Sequence, residues 1–239
     1  MISKLILRIL TVLWLPLAGH AAPHEAAAPL QVRAVLHDPV HPVAELYLPD
    51  PTGTVVKLKL VAEGLSEAQT SQPVNGSLVL YNTDKVDPKN PAASLAASVI
   101  IPPNTKRAII VVLPAPPAAT PAYRMVLIND ADAAFPKGES RVLSLLPVDT
   151  AIKAGEHSLP VPAGKIVHVP AVKKVNEFNM AQTNFYYKDG TDWVPFTERQ
   201  LQYLDEFRRI FIVHVTPGAT QPSVTTVIDT TPVPMRPAK

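Results

Sequence analysis

Two-residue alternation of apolar and polar side chains is the feature that most constrains this chain. In "TVVKLKLV" (54–61), Val56, Leu58 and Leu60 can face a core while Lys57 and Lys59 face water, which is the period of a half-buried strand. Similar strand segments recur as "QVRAVLH" (31–37), "SLVLYN" (77–82), "AIIVVL" (108–113), "YRMVLI" (123–128), "RVLSLL" (141–146), "KIVHV" (165–169), "NFYYK" (184–188), "IFIVHV" (210–215) and "SVTTVI" (223–228). Turns rich in Pro, Gly, Asn or Asp separate them, which favours sheets over long helices. The expected fold is all-β, with β-sandwich-like antiparallel sheets. One short helix is predicted in the C-terminal half, over "TERQLQYLDEFRR" (197–209). There Thr197 and Gln200 have capping-box spacing, Leu201 and Leu204 can share a helical face with Phe207 nearby, and Asp205 lies four residues before Arg209.

The first residues, "MISKLILRILTVLWLPLAGHAA", place Lys4 and Arg8 beside an apolar run from Ile9 to Leu17 and end in small residues. This is the pattern of a secretory signal peptide. The run is shorter than the roughly 20 residues of a membrane span, and Gly19 and Ala21 suit the −3 and −1 positions before cleavage at Ala22. Residues 1–21 are therefore expected to be a signal peptide and 22–29 a flexible lead-in. A β-rich domain is expected over 30–230, as one unit or as two small sandwiches divided near 115–135, followed by a Pro-rich tail over 231–239. The Pro-rich "VLPAPPAATPAY" (112–123) reads as an extended crossing between strands. No repeated sequence is evident.

Charge and cysteine content narrow the function classes. The chain carries 22 Lys and Arg against 20 Asp and Glu, and loss of Lys4 and Arg8 with the leader leaves 20 of each. A formally neutral mature chain gives no electrostatic reason to expect nucleic acid as a partner. With no Cys, disulfides, a thiol nucleophile and thiolate metal sites are excluded. The expected location is periplasmic or secreted, with no stable transmembrane span after processing. The candidate partners are an envelope protein or a glycan.

Candidate chemistry is sparse. There is no GxSxG elbow, HExxH pair or phosphate-cradling glycine loop, so no catalytic residue is assigned and no cofactor is expected. "LHDPVHP" offers His37, Asp38 and His41 as a metal-like cluster or a polar turn; zinc needs three or four convergent ligands. "YNTDKVDPKN" and "INDADAAF" present oxygen-rich loops that Asx turns explain more simply than calcium does. His157, His168 and His214 read as structural or solvated. The principal binding feature is "NFYYKDGTDWVPF", where Tyr186, Tyr187 and Trp193 could form a sugar-stacking or protein-contact surface. Phe185 and Tyr187 share one strand parity and Tyr186 the other, so part of this cluster is expected in a core.

At "KRAIIVVLPAPP", "YRMVLINDADAAFPKGESRVLSLLP", "AGEHSLPVPAGKIVHVP" and "FRRIFIVHV" the chain resembles a broad group of exported β-rich proteins from Verrucomicrobia-like bacteria, over residues 75 to 215 or so. The resemblance implies export and a β-rich fold. It supplies no catalytic or binding residue. The expectation is a non-catalytic periplasmic or cell-envelope binding or structural module, with a secreted hydrolase, acting on carbohydrate for example, as the alternative.

Overall fold

The computed structural model describes residues 28–38, 45–61 and 64–230; the expected leader, most of the expected lead-in, His41 and the Pro-rich residues 231–239 lie outside them. Sixteen strands are formed among the described residues. The first eight are β1 (Leu30–Leu36), β2 (Tyr47–Pro49), β3 (Val55–Lys57), β4 (Gln69–Ser71), β5 (Ser77–Tyr81), β6 (Leu95–Ile100), β7 (Arg107–Pro114) and β8 (Tyr123–Asn129). The second eight are β9 (Ser140–Ser144), β10 (Thr150–Ala154), β11 (His157–Val161), β12 (Ile166–Val169), β13 (Met180–Asp189), β14 (Asp192–Gln202), β15 (Arg208–His214) and β16 (Ser223–Asp229).

These strands make four sheets, and the second half of the chain repeats the topology of the first. One pair of sheets has the orders β4-β1-β7-β8 and β3-β2-β5-β6; the other has β12-β9-β15-β16 and β11-β10-β13-β14. Adding eight to each strand number of the first pair produces the second. The sheets are not purely antiparallel, as the sequence suggested: β1 runs parallel to β7 and β9 runs parallel to β15. Both parallel pairs sit in the centres of their sheets and join distant parts of each half.

Core composition shows how the sheets stack. Leu48 of β2, Leu80 of β5, Val32 and Ala34 of β1 and Ile110 of β7 fill one interior, between the two sheets of the first half. Ile152 of β10, Phe185 of β13, Val142 of β9 and Phe211 of β15 fill another, between those of the second half. A third interior joins the halves: Val35, Ile109 and Val111 meet Leu143, Ile210 and Ile212, with Phe135 alongside. The β4-β1-β7-β8 and β12-β9-β15-β16 sheets are therefore inner layers, each covered on both faces. That is why residues 108–113 of β7 and all of β15 are buried, with continuous apolar runs at 108–113 and 210–213 rather than an alternation. Each Val, Ile or Leu so buried contributes roughly 1.5–3 kcal/mol relative to exposure, which makes the seam between halves a true core.

The helix expected over 197–209 is not formed. Thr197 to Gln202 belong to β14, whose partners on β13 run from Met180↔Gln202 to Asp189↔Asp192. Capping and i,i+4 pairs are worth too little to hold an isolated helix of this length, whereas the strand satisfies the backbone across a whole hairpin and puts Leu201 and Tyr203 against the second-half core. Among the described residues the helical element is a single 3-10 turn at Pro91–Ser94, in the first half.

One polar cluster penetrates the seam. Arg33 of β1 donates to Asp130 (Nε to Oδ2 3.0 Å, Nη2 to Oδ1 2.8 Å) and to Asp229 (Nη1 to Oδ1 and Nη2 to Oδ2, both 2.9 Å). Arg208 of β15 reaches both carboxylates as well, with Nε 2.9 Å from Asp229 Oδ2 and Nη2 2.8 Å from Asp130 Oδ1. Its Nη1 donates to the Phe135 carbonyl at 2.8 Å, and its guanidinium lies 4.7 Å above the Phe135 ring. All four charged residues are buried, and two arginines against two aspartates leave no net charge. Removing one member of such a set strands an opposite charge in a buried site, at a cost of about 3–5 kcal/mol. Arg208→Met is therefore expected to lower the unfolding free energy by about that amount. Arg107→Met, at the matching position of the first half where the side chain is 42% exposed and paired with Asp132, is expected to lose no more than about 1 kcal/mol. Urea unfolding of the two variants checks this; equal losses would contradict it.

Candidate functional site

The outer face of the β11-β10-β13-β14 sheet carries the aromatic segment singled out in the sequence. Gly190 turns the β13–β14 hairpin with φ +57°, the left-handed conformation that glycine adopts without a steric cost. The turn sets Lys188 opposite Trp193, and a bulge after Phe185 brings Tyr186 opposite Pro195. On the neighbouring strand Ala151 is the cross-strand partner of Tyr186, and Lys153 that of Asn184 and of Ser158. Side chains of one parity share a face, so this face presents Tyr186, Trp193, Lys153 and Ser158 around the small Ala151. Between them lies a cavity of about 280 Å³.

Polar groups continue the surface along β13. Gln182 Nε2 donates to Asn184 Oδ1 at 2.6 Å, and Asn184 Nδ2 donates to the Tyr186 hydroxyl at 3.3 Å. Because that hydroxyl accepts from Asn184, its own proton is left to donate outward. Trp193 is 45% exposed, a large apolar ring held open to solvent on a regular strand. The cavity therefore combines aromatic walls, hydroxyls and an ammonium, and the amide row of Gln182 and Asn184 adjoins it along β13.

The structure divides the three aromatic candidates. Tyr186 and Trp193 share the cavity, whereas Tyr187 turns inward and packs against Phe196, with ring centroids 6.0 Å apart, at the edge of the second-half core. Phe185 is buried 5.3 Å from Phe211. Strand parity in the sequence separates these rings; the inclusion of Lys153 and Ser158 follows only from pairing with strands thirty residues away.

His37 and Asp38 line a second cavity, of about 380 Å³, at the end of the seam opposite the charge cluster. The partner that the sequence did not supply is His214, whose ring lies 4.4 Å from that of His37 at an interplanar angle of 64°. His214 shares the parity of Ile210 and Ile212 on β15, and that placement in a buried run is the signal that could have marked it. Its Nε2 lies 3.0 Å from Thr225 Oγ1, while His37 Nε2 and His214 Nδ1 are buried without a hydrogen-bond partner. No group of three or more His, Cys, Asp or Glu suited to a metal ion occurs among the described residues. His157 contacts the Ala171 carbonyl and His168 pairs with Glu139.

The oxygen-rich loops are used locally. Asp87 accepts from the Lys89 amide and Asn129 from the Ala131 amide, both Asx turns, while Asp130 belongs to the charge cluster and Asp132 pairs with Arg107. Among the described residues, no helix is long and apolar enough to cross a membrane. No known protein family matches the chain, and no curated protein matches it significantly.

Burial, first, and the neighbouring His214, second, push the His37 pKa down from 6.5 to about 4, with Asp38 opposing the shift; burial lowers that of His214 too. A histidine whose folded value lies below its unfolded value binds its proton first in the unfolded chain. The folded state therefore keeps its full stability above pH 6.5 and loses it as pH falls toward 4. For His37 that loss amounts to about 3 kcal/mol at most. His37→Leu is expected to flatten the fall in unfolding free energy over that interval. Parallel pH profiles for the wild type and the variant would show that His37 is not the group responsible.

Proposed function

We propose that this protein is a non-catalytic extracytoplasmic binding module that holds a glycan on the outer face of its β11-β10-β13-β14 sheet. The observation carrying this reading is the cavity between Tyr186 and Trp193, floored by Ala151 and edged by Lys153 and Ser158. Aromatic rings present broad, rigid apolar faces on which the C–H face of a sugar ring can lie, at little conformational cost. Amide and hydroxyl groups beside them can exchange hydrogen bonds with sugar hydroxyls. The row Gln182, Asn184 and Tyr186 is pre-aligned by its own hydrogen bonds, which reduces what must be ordered on binding.

Binding is favoured over glycoside hydrolysis by the lining itself. Glycosidic cleavage uses two carboxyl groups flanking the bond, and the residues lining this cavity include neither Asp nor Glu; Glu198, across from Asn184, is a single carboxylate beyond the lining. A secretory leader over residues 1–21, as the sequence suggests, would deliver the module to the periplasm or beyond, where envelope glycans are found.

Retention of the mature protein by insoluble envelope polysaccharides, including peptidoglycan sacculi, tests the reading, with titration of soluble fragments to give affinities. Trp193→Ala is expected to weaken binding by about tenfold or more, the loss of one good contact, while leaving thermal stability unchanged. Tyr187→Ala is expected to destabilise, by somewhat less than the about 3–5 kcal/mol of a fully buried aromatic. No retention by any glycan, or retention indifferent to both Trp193→Ala and Tyr186→Ala, would defeat the assignment. Glycan turnover would defeat its non-catalytic part.

A further inference from the structure

The central parallel pairs of the two halves correspond residue by residue in register, and this exposes an anomaly at the seam. The His37 amide donates to the Val112 carbonyl at 3.0 Å, and the Leu145 amide donates to the Val213 carbonyl at 2.8 Å. Val35 pairs with Val111 where Leu143 pairs with Ile212. His37 thus occupies the position that Leu145 holds in the second half. By the same registers, His214 occupies the position that Leu113 holds in the first, one residue beyond the Val112 and Val213 carbonyls. All four side chains line the cavity of about 380 Å³.

Leucine holds both positions in the opposite halves, so the shared strand register does not itself call for imidazole there. Each histidine is only 8% exposed, and His37 Nε2 and His214 Nδ1 have no hydrogen-bond partner. A buried polar atom without a partner costs about 1–3 kcal/mol. Each member of the pair carries such an atom, and both line one cavity. Rotation about the Cβ–Cγ bond exchanges nitrogen and carbon edges of an imidazole, so either ring can turn a nitrogen to the cavity.

We propose that this cavity is a second binding site, distinct from the outer sheet face, for a small neutral aromatic molecule bearing a hydroxyl group. The apolar wall of Leu113, Pro114, Leu146 and Pro147 suits the ring system, and the volume lies at the lower end of the range for small-molecule sites. Arg124 and Asp38 both border the cavity; their opposite charges cancel, which selects against an ionic ligand. A neutral imidazole has one donor and one acceptor nitrogen, and burial keeps both rings neutral near pH 7. A hydroxyl, itself donor and acceptor, complements such a pair.

The test is calorimetric titration of the full chain at pH 7 with 2-naphthol, naphthalene and 2-naphthoate. Saturable binding of 2-naphthol is expected, about tenfold tighter than that of either analogue, corresponding to one well-made hydrogen bond. The double variant His37→Leu with His214→Leu, which makes the two halves alike at the seam, is expected to keep or gain thermal stability and to lose that tenfold preference. Val215→Trp alters a residue that lines the cavity and is 46% exposed; it is expected to block all three probes with both imidazoles in place, and it carries the test if the double variant does not fold. Trp193→Ala, which weakens glycan binding at the outer face, is expected to leave the affinities of these three probes unchanged. Absence of saturable 2-naphthol binding, unchanged preference in the double variant, unchanged binding in Val215→Trp, tighter binding of 2-naphthoate, or loss in Trp193→Ala would each overturn the proposal.

Discussion

The buried set of Arg33, Asp130, Arg208 and Asp229 is the interaction on which the four-layer arrangement turns. Hydrophobic contact between the inner sheets drives them together but is non-directional, and two apolar sheet faces can slide or rotate over one another. The charge cluster cannot. Arg33 extends from the first half to Asp229 in the second, and Arg208 extends from the second half to Asp130 at the close of the first. Each carboxylate is held by an arginine from each half, so displacing one sheet relative to the other breaks several buried charge-assisted bonds. The cluster converts a greasy seam into one with a fixed register.

The halves share a plan but not a set of contacts. By strand register Arg141 is the counterpart of Arg33, and Arg107 that of Arg208; neither counterpart joins the central cluster through the carboxylates in the same way. Arg141 instead lies 4.7 Å above the Phe135 ring, and Arg107 turns to Asp132. The paired β-bulges, one in each outer sheet between Leu80 and Tyr81 and between Phe185 and Tyr186, belong to the common plan. The long β13–β14 hairpin, with Trp193 near its tip, belongs to the second half alone: the corresponding β5 and β6 have five and six residues against ten and eleven. Two departures from the repeat, the long β13–β14 hairpin and the histidines at the seam, each border a cavity that also holds polar groups.

Much of the all-β architecture was legible in the alternation, and the inward Phe185 and outward Tyr186 followed from parity. What escaped was non-local. The Thr197 to Gln202 segment carries helical spacing, yet long-range pairing with β13 outweighed it. The duplication was invisible because equivalent positions hold chemically similar but different residues, Val35 against Leu143 and Ile109 against Ile210, so the repeat resides in register and not in spelling. His37 and His214 stand at the two ends of the β-rich region, and only the parallel pairings of β1 with β7 and β9 with β15 bring those ends to one seam. Asp130, which looked like a turn residue in "INDADAAF", became a buried anion for the same reason.

A shared seam implies that neither half is an independent folding unit, and native-state hydrogen exchange measures this most directly. The slowest amides of β1 and β7 should open with the same free energy as those of β9 and β15, because exposing either inner sheet requires loss of the seam and of its charge cluster, and that common value should match the global unfolding free energy. Two separate classes, with amides of β1–β8 opening at a free energy different from those of β9–β16 by more than about 2 kcal/mol, would contradict the four-layer account and describe two domains that merely touch.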